Sequence, residues 1–325
     1  MISRRQFVQG IGTVAMGASA WDVAAQSWPT KPIRLLIGFS PGGGTDIVAR
    51  ALAPKMAEVL GQQIVLENKP GASGTIAADL VAKAAPDGYT LLMGHSNSNA
   101  VAPFVMKVPY QAASDFTPIT YIGYVPNVLV VHPSVQANSV PALIKLIKSK
   151  PGEMTYASSG IGSSQHLAGA LFSRIAGLQM NHVPYKGSGQ AIVDLLAGQV
   201  HMNFDTMPPV LEHIRSKKIR ALAISTPKRI SQLAEVPTFE EVGITGFDVT
   251  NWYSVMGPKG MPNDMVVKLD RAVKTAMNDP KIRATLDAQG LQSGGAATPE
   301  EFKQFLSAEL EKYARIVKDL NIRSD

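Results

Sequence analysis

The chain has 325 residues, no cysteine and a formal net charge of +6 at pH 7. The absence of cysteine excludes disulfide bonds, thiol catalysis and cysteine-ligated metal sites. The positive excess is mild and spread along the chain, so it favours anionic partners only weakly and gives nucleic-acid binding little support. The length exceeds that of one typical domain, and we expect two domains with large cores.

Residues 1–25 have the features of an export signal peptide. Arg4 and Arg5 precede a mildly apolar stretch, and small residues end at Ala25, where we expect cleavage. The Ser-Arg-Arg-Gln-Phe sequence that starts at Ser3 matches the core of a twin-arginine signal, with an ordinary Sec signal as the alternative. Either route leads to the periplasm, and without cysteine there is no lipoprotein anchor. We therefore expect a soluble periplasmic protein.

The first strand after this signal leads directly into a glycine-rich turn and a helix. The strand covers 33–39 and the helix covers 45–60, with Gly42, Gly43 and Gly44 between them. Glycines leave their N–H groups unshielded, and the helix directs the positive end of its dipole to the same place. This arrangement is typical of an anion site. A tight turn without a ligand is the alternative, and the turn alone does not decide between them.

Short apolar strands alternate with amphipathic helices along the chain. The alternation predicts an α/β fold with a parallel sheet and helices on both faces. Besides the two elements above, the predicted strands are 63–67, 89–94, 153–157, 179–183, 200–204 and 219–224, and the predicted helices are 73–84, 139–150, 163–175 and 188–197. A last helix begins after Thr298, where Thr-Pro-Glu-Glu forms a capping box, and its apolar face predicts packing on the first domain.

A similar series of loops occurs twice in the chain. The loop at 39–46 corresponds to 157–164, the loop at 68–75 to 184–191, and the loop at 94–99 to 203–208. A repeated unit of strand, polar loop and helix predicts two domains, each with its ligand edge at the carboxyl ends of its strands. Chain crossings near 124–132 and 251–258 predict a hinge that closes the two edges over a ligand.

Four long segments carry a family resemblance. They are NKPGASGTIAADLVAKAAPDGYTLLMG at 68–94, HVPYKGSGQAIVDLLAGQVHMNFD at 182–205, VPTFEEVG at 236–243 and WYSVMGPKGMP at 252–262. The chain resembles the Bug-type substrate receptors of tripartite tricarboxylate transporters. The resemblance implies a periplasmic-binding-protein-like α/β fold of two domains, with residues 26–126 and 247–325 in domain 1 and residues 127–246 in domain 2. It also implies a monomer that delivers a small carboxylate to transporter membrane subunits, without catalysis or a cofactor.

The same resemblance implies ligand-binding residues in the loops of both domains. They are Phe39, Gly42, Gly43, Gly44, Thr45, Asp46, Ala72, Ser73, Ser96 and Asn97 in domain 1, and Ser158, Ser159, Gly160, Ser163, Tyr185, Lys186, Gly187 and Asp205 in domain 2. None of these residues is an arginine, so backbone amides, hydroxyls and waters would hold the charge and leave the rest of the ligand loosely specified. His166 is a further candidate for side-chain selectivity.

Several of these residues have ordinary structural alternatives. An acidic residue in the first helical turn, such as Asp46, is favourable by itself by about 0.3–1 kcal/mol. Serines beside Gly160 can act only as helix caps. Lys186 can be a solvated lysine beside a turn. Asp205 can accept a hydrogen bond from a water or a ligand, or it can cap the next turn.

A secreted serine esterase is the alternative function. Gly94-His95-Ser96-Asn97-Ser98 follows a strand and matches the G-x-S-x-G nucleophile elbow except at its last position, where Ser98 replaces the glycine. A hydrolase of this type also needs a late histidine, and no histidine follows His213. Nucleotide binding is disfavoured because the glycine loop lacks the phosphate-binding lysine, and metal binding because the histidines have no ligand spacing.

Overall fold

The computed structural model describes residues 28–292 and 296–322. The predicted export signal therefore lies outside the described residues. The strands are β1 (Ile33–Ile37), β2 (Ile64–Asn68), β3 (Thr90–His95), β4 (Phe116–Val131), β5 (Thr155–Ser158), β6 (Asn181–Pro184), β7 (Met202–Thr206), β8 (Arg220–Ile224) and β9 (Thr250–Pro258). The helices are α1 (Gly44–Leu60), α2 (Thr75–Ala82), α3 (Ala102–Val105), α4 (Val140–Ser149), α5 (Ser164–Ala176), α6 (Ser188–Leu196), α7 (Met207–Arg215), α8 (Asn263–Asn278), α9 (Pro280–Ala288) and α10 (Pro299–Leu320).

The sheet has two halves of matching topology. In the first half the strand order is β2-β1-β3-β9-β4, and in the second half it is β6-β5-β7-β4-β8. Strand β1 lies parallel to β2 and β3, and β5 lies parallel to β6 and β7, as the alternating pattern predicts. The prediction of a parallel sheet is wrong for the two crossing strands: β9 runs antiparallel to β3, and β4 runs antiparallel to β7 and β8, while β8 stays parallel to β7. Helix α7 connects the parallel strands β7 and β8, and β4 lies between them in the sheet.

The long strand β4 belongs to both halves. Residues up to Pro126 pair with β9, and residues from Asn127 pair with β7. The chain returns to the first half at Thr250, where β9 begins. Both changes fall within or next to the predicted crossings. The assignment of the two domains to their residue ranges stays a prediction.

Each half buries both faces of its parallel strands. In β1, Leu35 and Ile37 pack in the cluster that contains α1 and α8, and Leu36 packs in the cluster that contains α2 and α10. Strands covered on both sides are mostly apolar, which explains why every residue of β1 except the exposed Arg34 is hydrophobic and buried. The second half is built in the same way, with Leu129 on one face of β4 and Val130 on the other. The carboxyl ends of these strands therefore stay free to carry polar loops.

The C-terminal helix α10 begins as the capping box predicts. The Thr298 hydroxyl accepts a hydrogen bond from Glu301 N at 3.2 Å, and the Glu301 carboxylate accepts one from Ala297 N at 2.6 Å. Phe302 and Tyr313 are fully buried against the first half of the sheet, as expected. Within the described part of the chain, no helix is both long and apolar enough to cross a membrane.

Candidate functional site

The loops at the carboxyl ends of the two sheet halves are in direct contact. The Ser73 hydroxyl donates a 2.5 Å hydrogen bond to the carbonyl of Ile161. Asn97 accepts a hydrogen bond from Ser164 N at 2.8 Å and donates one to the Ser159 hydroxyl at 3.2 Å. The predicted loops at 68–75 and 94–99 thus meet the loop at 157–164. The structure is a closed form in which two ligand edges face each other.

The first glycine loop meets the second half in an equivalent way. A Cβ atom on Gly189 would lie 2.7 Å from the Pro41 carbonyl oxygen, and one on Gly44 would lie 2.9 Å from the Thr206 hydroxyl. A Cβ atom on Gly187 would lie 2.6 Å from the Ser40 hydroxyl. Real Cβ atoms do not come this close to other heavy atoms. Gly189 therefore has no room for a side chain against the backbone of the other half, and Gly44 and Gly187 have room only if the facing hydroxyls move.

Several helices begin at this interface. Helices α1, α5, α6 and α7 start at Gly44, Ser164, Ser188 and Met207, directly after the loops that touch. A helix start carries unpaired N–H groups and the positive end of the helix dipole. Among residues 28–292 and 296–322, the buried polar side chains include no lysine and no arginine. The positive potential of the site therefore comes from the backbone.

The structure changes the expected use of the glycine N–H groups. Gly42 N donates to the Asp46 carboxylate at 3.0 Å, and Gly43 N donates to the Ser40 carbonyl at 3.3 Å. Two of the three N–H groups are thus used within the protein. The N–H groups of Gly44 and Thr45, in the first turn of α1, have no such partner among the described residues. These two are the donors available to an anion.

Asp46 holds the glycine loop in place. Its carboxylate, which is 2 % exposed, accepts hydrogen bonds from Gly42 N, from Arg50 Nε at 2.7 Å and from Asn68 Nδ2 at 3.0 Å. Burial raises its pKa, but the hydrogen bonds from Arg50, Gly42 and Asn68 outweigh burial and leave the pKa below the ordinary value. Asn68 also donates to the Phe39 carbonyl at 2.9 Å. The contacts of Asp46 are those of a structural residue.

The opposite loop is also held by its own polar groups. The Ser158 hydroxyl contacts His182 Nε2 at 2.6 Å and accepts from Gly160 N at 3.1 Å. The Ser159 hydroxyl donates to Gln165 at 2.8 Å. Ser163 is the N-cap of α5 and accepts from His166 N at 3.1 Å, which is the ordinary capping role considered above.

A stack of rings supports Ser158 from behind. The rings of His166 and His182 are 4.2 Å apart and nearly parallel, and His182 stacks on Tyr156 at 4.9 Å. Burial lowers the pKa of His166 to about 4, and burial together with His166 lowers the pKa of His182 to about 3. Both rings are therefore neutral at pH 7. The ring of His166, a candidate for ligand selectivity in the sequence analysis, therefore packs on His182 within its own half.

Asp205 lies near the carboxyl end of β7, a central strand of the second half. It is completely buried and accepts hydrogen bonds from the Ser188 hydroxyl at 2.6 Å and from Thr206 N at 2.7 Å. Burial raises its pKa to about 6, although these hydrogen bonds act in the opposite direction. Thr206 in turn faces Gly44 of α1. Asp205 is thus one residue away from the contact between the two halves.

Other predicted residues lie at the edge of the site. The Tyr185 hydroxyl donates to Asp194 at 2.6 Å, and Lys186 is exposed. The Phe39 ring is buried against the His95 ring at 4.9 Å. Ala72 and Ser73 have left-handed backbone conformations that place Ser73 against the opposite loop.

The surroundings of Ser96 do not resemble a catalytic triad. Ser96 is completely buried, and its hydroxyl lies 3.4 Å from His95 Nδ1 and 3.3 Å from Asn251 Oδ1. The same His95 Nδ1 accepts a hydrogen bond from Asn97 N at 3.0 Å. Within the described residues, no carboxylate hydrogen-bonds the His95 ring. The orienting acid of a triad is therefore not in place.

Two asparagines connect the crossing strands beneath the site. Asn251 of β9 donates to Asn127 of β4 at 2.7 Å, and Asn127 donates to the carbonyl of Val249 at 3.0 Å. The Asn251 carbonyl oxygen accepts from Ser96 of the first half and from Ser164 of the second. This network joins both halves at the point where the chain crosses between them.

Sequence reasoning missed several residues of the interface. They are Ser40, Ser164, Gln165, Ser188, Thr206, Asn251 and Tyr253, all of them buried. Most are immediate neighbours of predicted residues, so the loop series contained a signal for them. Tyr253 is different, because it comes from a crossing strand and reaches Gly44 only through the fold.

Comparisons with known proteins agree with this arrangement. The profile of the family described as "Tripartite tricarboxylate transporter family receptor" matches residues 48–322. The chain is 39% identical over 320 residues to Protein BugT of Bordetella pertussis, covering 98% of each chain. The structure of the periplasmic binding protein BugD has a TM-score of 0.88 at 32% identity and covers 91% of this chain and 100% of its own. The structure of R. palustris Rpa4515 with adipate has the same TM-score at 35% identity, with the same coverage.

The fold and the facing loops define a bilobal solute-binding protein of the α/β class. The predicted periplasmic-binding-protein-like fold is confirmed. The chain belongs to the tripartite tricarboxylate transporter receptor family, as the resemblance implied.

Proposed function

We propose that this protein binds a small organic carboxylate between two closing domains in the periplasm and delivers it to the membrane subunits of a tripartite-type transporter. The domains are 26–126 with 247–325, and 127–246. The protein is exported through the signal at residues 1–25, acts as a monomer and performs no catalysis. The ligand contacts come from those predicted loop residues whose polar groups are not already used within the protein, together with Ser40, Ser188, Thr206 and Tyr253.

The convergence of helix starts at the contact between the two halves carries this proposal. The N–H groups of Gly44 and Thr45 face a second set of helix starts. Among the described residues no lysine or arginine is buried, so the backbone N–H groups would be the positive groups that an anion meets there. The Ser40 hydroxyl is buried at the same place without a hydrogen-bond partner among the described residues. Charge-assisted hydrogen bonds contribute roughly 1.5–3 kcal/mol each, so about six of them outweigh the cost of closure.

A carboxylate is the anion that best fits the relatives. The R. palustris structure holds adipate in a chain that aligns with 91% of this one. Adipate has two charged ends and a flexible apolar middle, which suits a site that holds charge by backbone and leaves the remainder loosely specified.

Isothermal titration calorimetry with adipate, citrate, benzoate and glucose tests the proposal. We expect at least one acid to bind and glucose not to bind. A bound acid at about 100 times its Kd would stabilise the fold by roughly 2.7 kcal/mol, which a thermal-shift assay detects. Binding of glucose alone, with none of the acids binding, would contradict the proposed function. Labelling of Ser96 by a fluorophosphonate probe would contradict the absence of catalysis.

A further inference from the structure

Asp205 is a buried carboxylate that lacks a cationic partner. It is 0% exposed, and its hydrogen bonds come from the Ser188 hydroxyl at 2.6 Å, Asn203 Nδ2 at 2.8 Å and Thr206 N at 2.7 Å. All of these donors are neutral. No lysine or arginine within the described residues forms an ion pair with it. A buried charge lowers the stability of the fold unless it is paired with an opposite charge or neutralised by a proton.

The elements packed around Asp205 supply no positive charge either. Val128 of β4 lies opposite it in the sheet, and Gln165 of α5 donates a hydrogen bond to the Ser188 hydroxyl at 3.4 Å. From β9 it is faced by Tyr253, a phenol whose pKa is raised by burial. The His95 ring contacts the Tyr253 ring at a tilt, with 5.2 Å between the ring centres, and burial lowers the pKa of His95 to about 3.

The glycine loop of the first half supplies no positive charge to Asp205 either. Helix α1 presents Gly44 to the Thr206 hydroxyl. Its acidic residue, Asp46, is bound to Arg50 and Asn68. An anion that enters this site therefore adds a second negative charge near Asp205. Two negative charges that share a dry site favour the binding of a proton by one of them.

The neighbour Asn203 can satisfy Asp205 in either protonation state. In this structure the Asn203 amide nitrogen donates to Asp205 Oδ2, and its carbonyl oxygen Oδ1 is buried without a partner among the described residues. Rotation of the amide by half a turn exchanges these two atoms. The carbonyl oxygen would then accept a hydrogen bond from a protonated Asp205. A buried acceptor is thus available beside Asp205 that a protonated carboxyl can use and an ionised one cannot.

We propose that capture of a dicarboxylate anion is coupled to the uptake of one proton by the Asp205 carboxylate. The step forms one O–H bond from a solvent proton and breaks no covalent bond. The Asn203 amide turns to accept the new hydrogen bond. This inference rests on the proposed function, because it requires that the ligand is an anion. Affinity for the fully ionised ligand therefore falls as the pH rises.

Calorimetric titrations with adipate between pH 6.5 and 8.5, where adipate is fully ionised, test the coupling. In two buffers of different ionisation enthalpy, we expect uptake of close to one proton per adipate at pH 7.5. The Kd is expected to rise about tenfold from pH 7 to pH 8. Asp205→Asn imitates the protonated carboxyl, and we expect it to bind adipate at pH 8 with no proton uptake and a constant Kd.

A double variant, His132→Gln with His213→Gln, is the matched control. These two histidines lie at the end of β4 and in the last turn of α7, away from the contact between the halves, and we expect them to leave the proton count unchanged. Binding of adipate to the wild-type protein with no proton uptake would overturn the inference while leaving the proposed function intact. Binding that depends on sodium instead of pH would overturn it as well. Failure of the wild type and Asp205→Asn to bind any acid would overturn both proposals.

Discussion

Gly189→Ala is expected to oppose closure without weakening the helix that contains the residue. Gly189 lies in the first turn of α6, where alanine is intrinsically favoured over glycine by up to about 1 kcal/mol. In the closed form, however, the added Cβ atom would lie 2.7 Å from the carbonyl oxygen of Pro41 in the other half. Ordinary contact begins at about 3.4 Å, so the two backbones must separate by about 0.7 Å. The variant therefore affects the closed form selectively.

The size of the effect follows from the cost of overpacking. Inserting a methyl group into a well-packed contact costs about 1–3 kcal/mol. At 1.4 kcal/mol for each factor of ten, the Kd for adipate should rise roughly 5- to 150-fold. Isothermal titration calorimetry measures this change, and circular dichroism melting without ligand checks that the variant folds.

Gly43→Ala provides the matched control in the facing loop. Its backbone has φ −76°, which any residue adopts, and its added Cβ atom would be 3.4 Å from the Ser40 carbonyl oxygen and 4.0 Å from Ser188 Cβ. We expect its Kd to stay within about threefold of the wild-type value, since these distances are ordinary contacts. Equal affinity of Gly189→Ala, Gly43→Ala and the wild type would refute the reasoning, because the closed contact would then not form on binding.

The remaining predictions concern stability in urea. Thr298→Ala removes the cap of α10 and should lower the free energy of unfolding by about 1 kcal/mol, with the adipate Kd unchanged. Asn251→Leu leaves buried polar partners unpaired and should cost about 1–3 kcal/mol, and a change below about 0.5 kcal/mol would contradict the role of the asparagine network. Acidification from pH 7 to pH 5 should destabilise the protein, because the unfolded chain then binds protons that the folded one excludes from the buried His95 and the partly buried His166 and His182. The free energy of unfolding should fall by at most about 1.4 kcal/mol per pH unit for each histidine. The raised pKa of Asp205 acts in the opposite direction, but it is one group against three. A free energy of unfolding that is constant or rises on acidification would refute the lowered pKa values of the histidines.

Much of the fold is predictable because its signals are local. The predicted helix 45–60 is observed as Gly44–Leu60, and the predicted strand 219–224 as Arg220–Ile224. Apolar periodicity, glycine turns and the capping box at Thr298 act within a few residues of each other, so a single sequence contains them. The antiparallel directions of β4 and β9 were not predictable in this way, because they depend on which strands the crossing segments pair with in the fold.

The candidate site was predictable only in part. The three pairs of repeated loops contain most of the residues that meet between the halves, because loops after parallel strands share one edge of a sheet. The roles of individual residues depend on three-dimensional neighbours. Asp46 is bound to Arg50 four residues later, which a helix pattern permits, but also to Asn68 from the next strand. Tyr253 and Gly44 are 209 positions apart in the chain and adjacent in the structure.

The sequence by itself indicated the family, through four segments that resemble it. Loop spacing, glycine and the absence of arginine in the loops predicted a repeat of two domains and an anion site built from backbone. Only the tertiary structure decided which donors stay available to a ligand. It showed that the N–H groups of Gly42 and Gly43 are used within the protein and that those of Gly44 and Thr45 are not. It also placed a buried carboxylate, Asp205, beside them without a cation. Burial and the competition for hydrogen bonds are properties of the packed molecule, and they depend on distances that no spacing in the chain specifies.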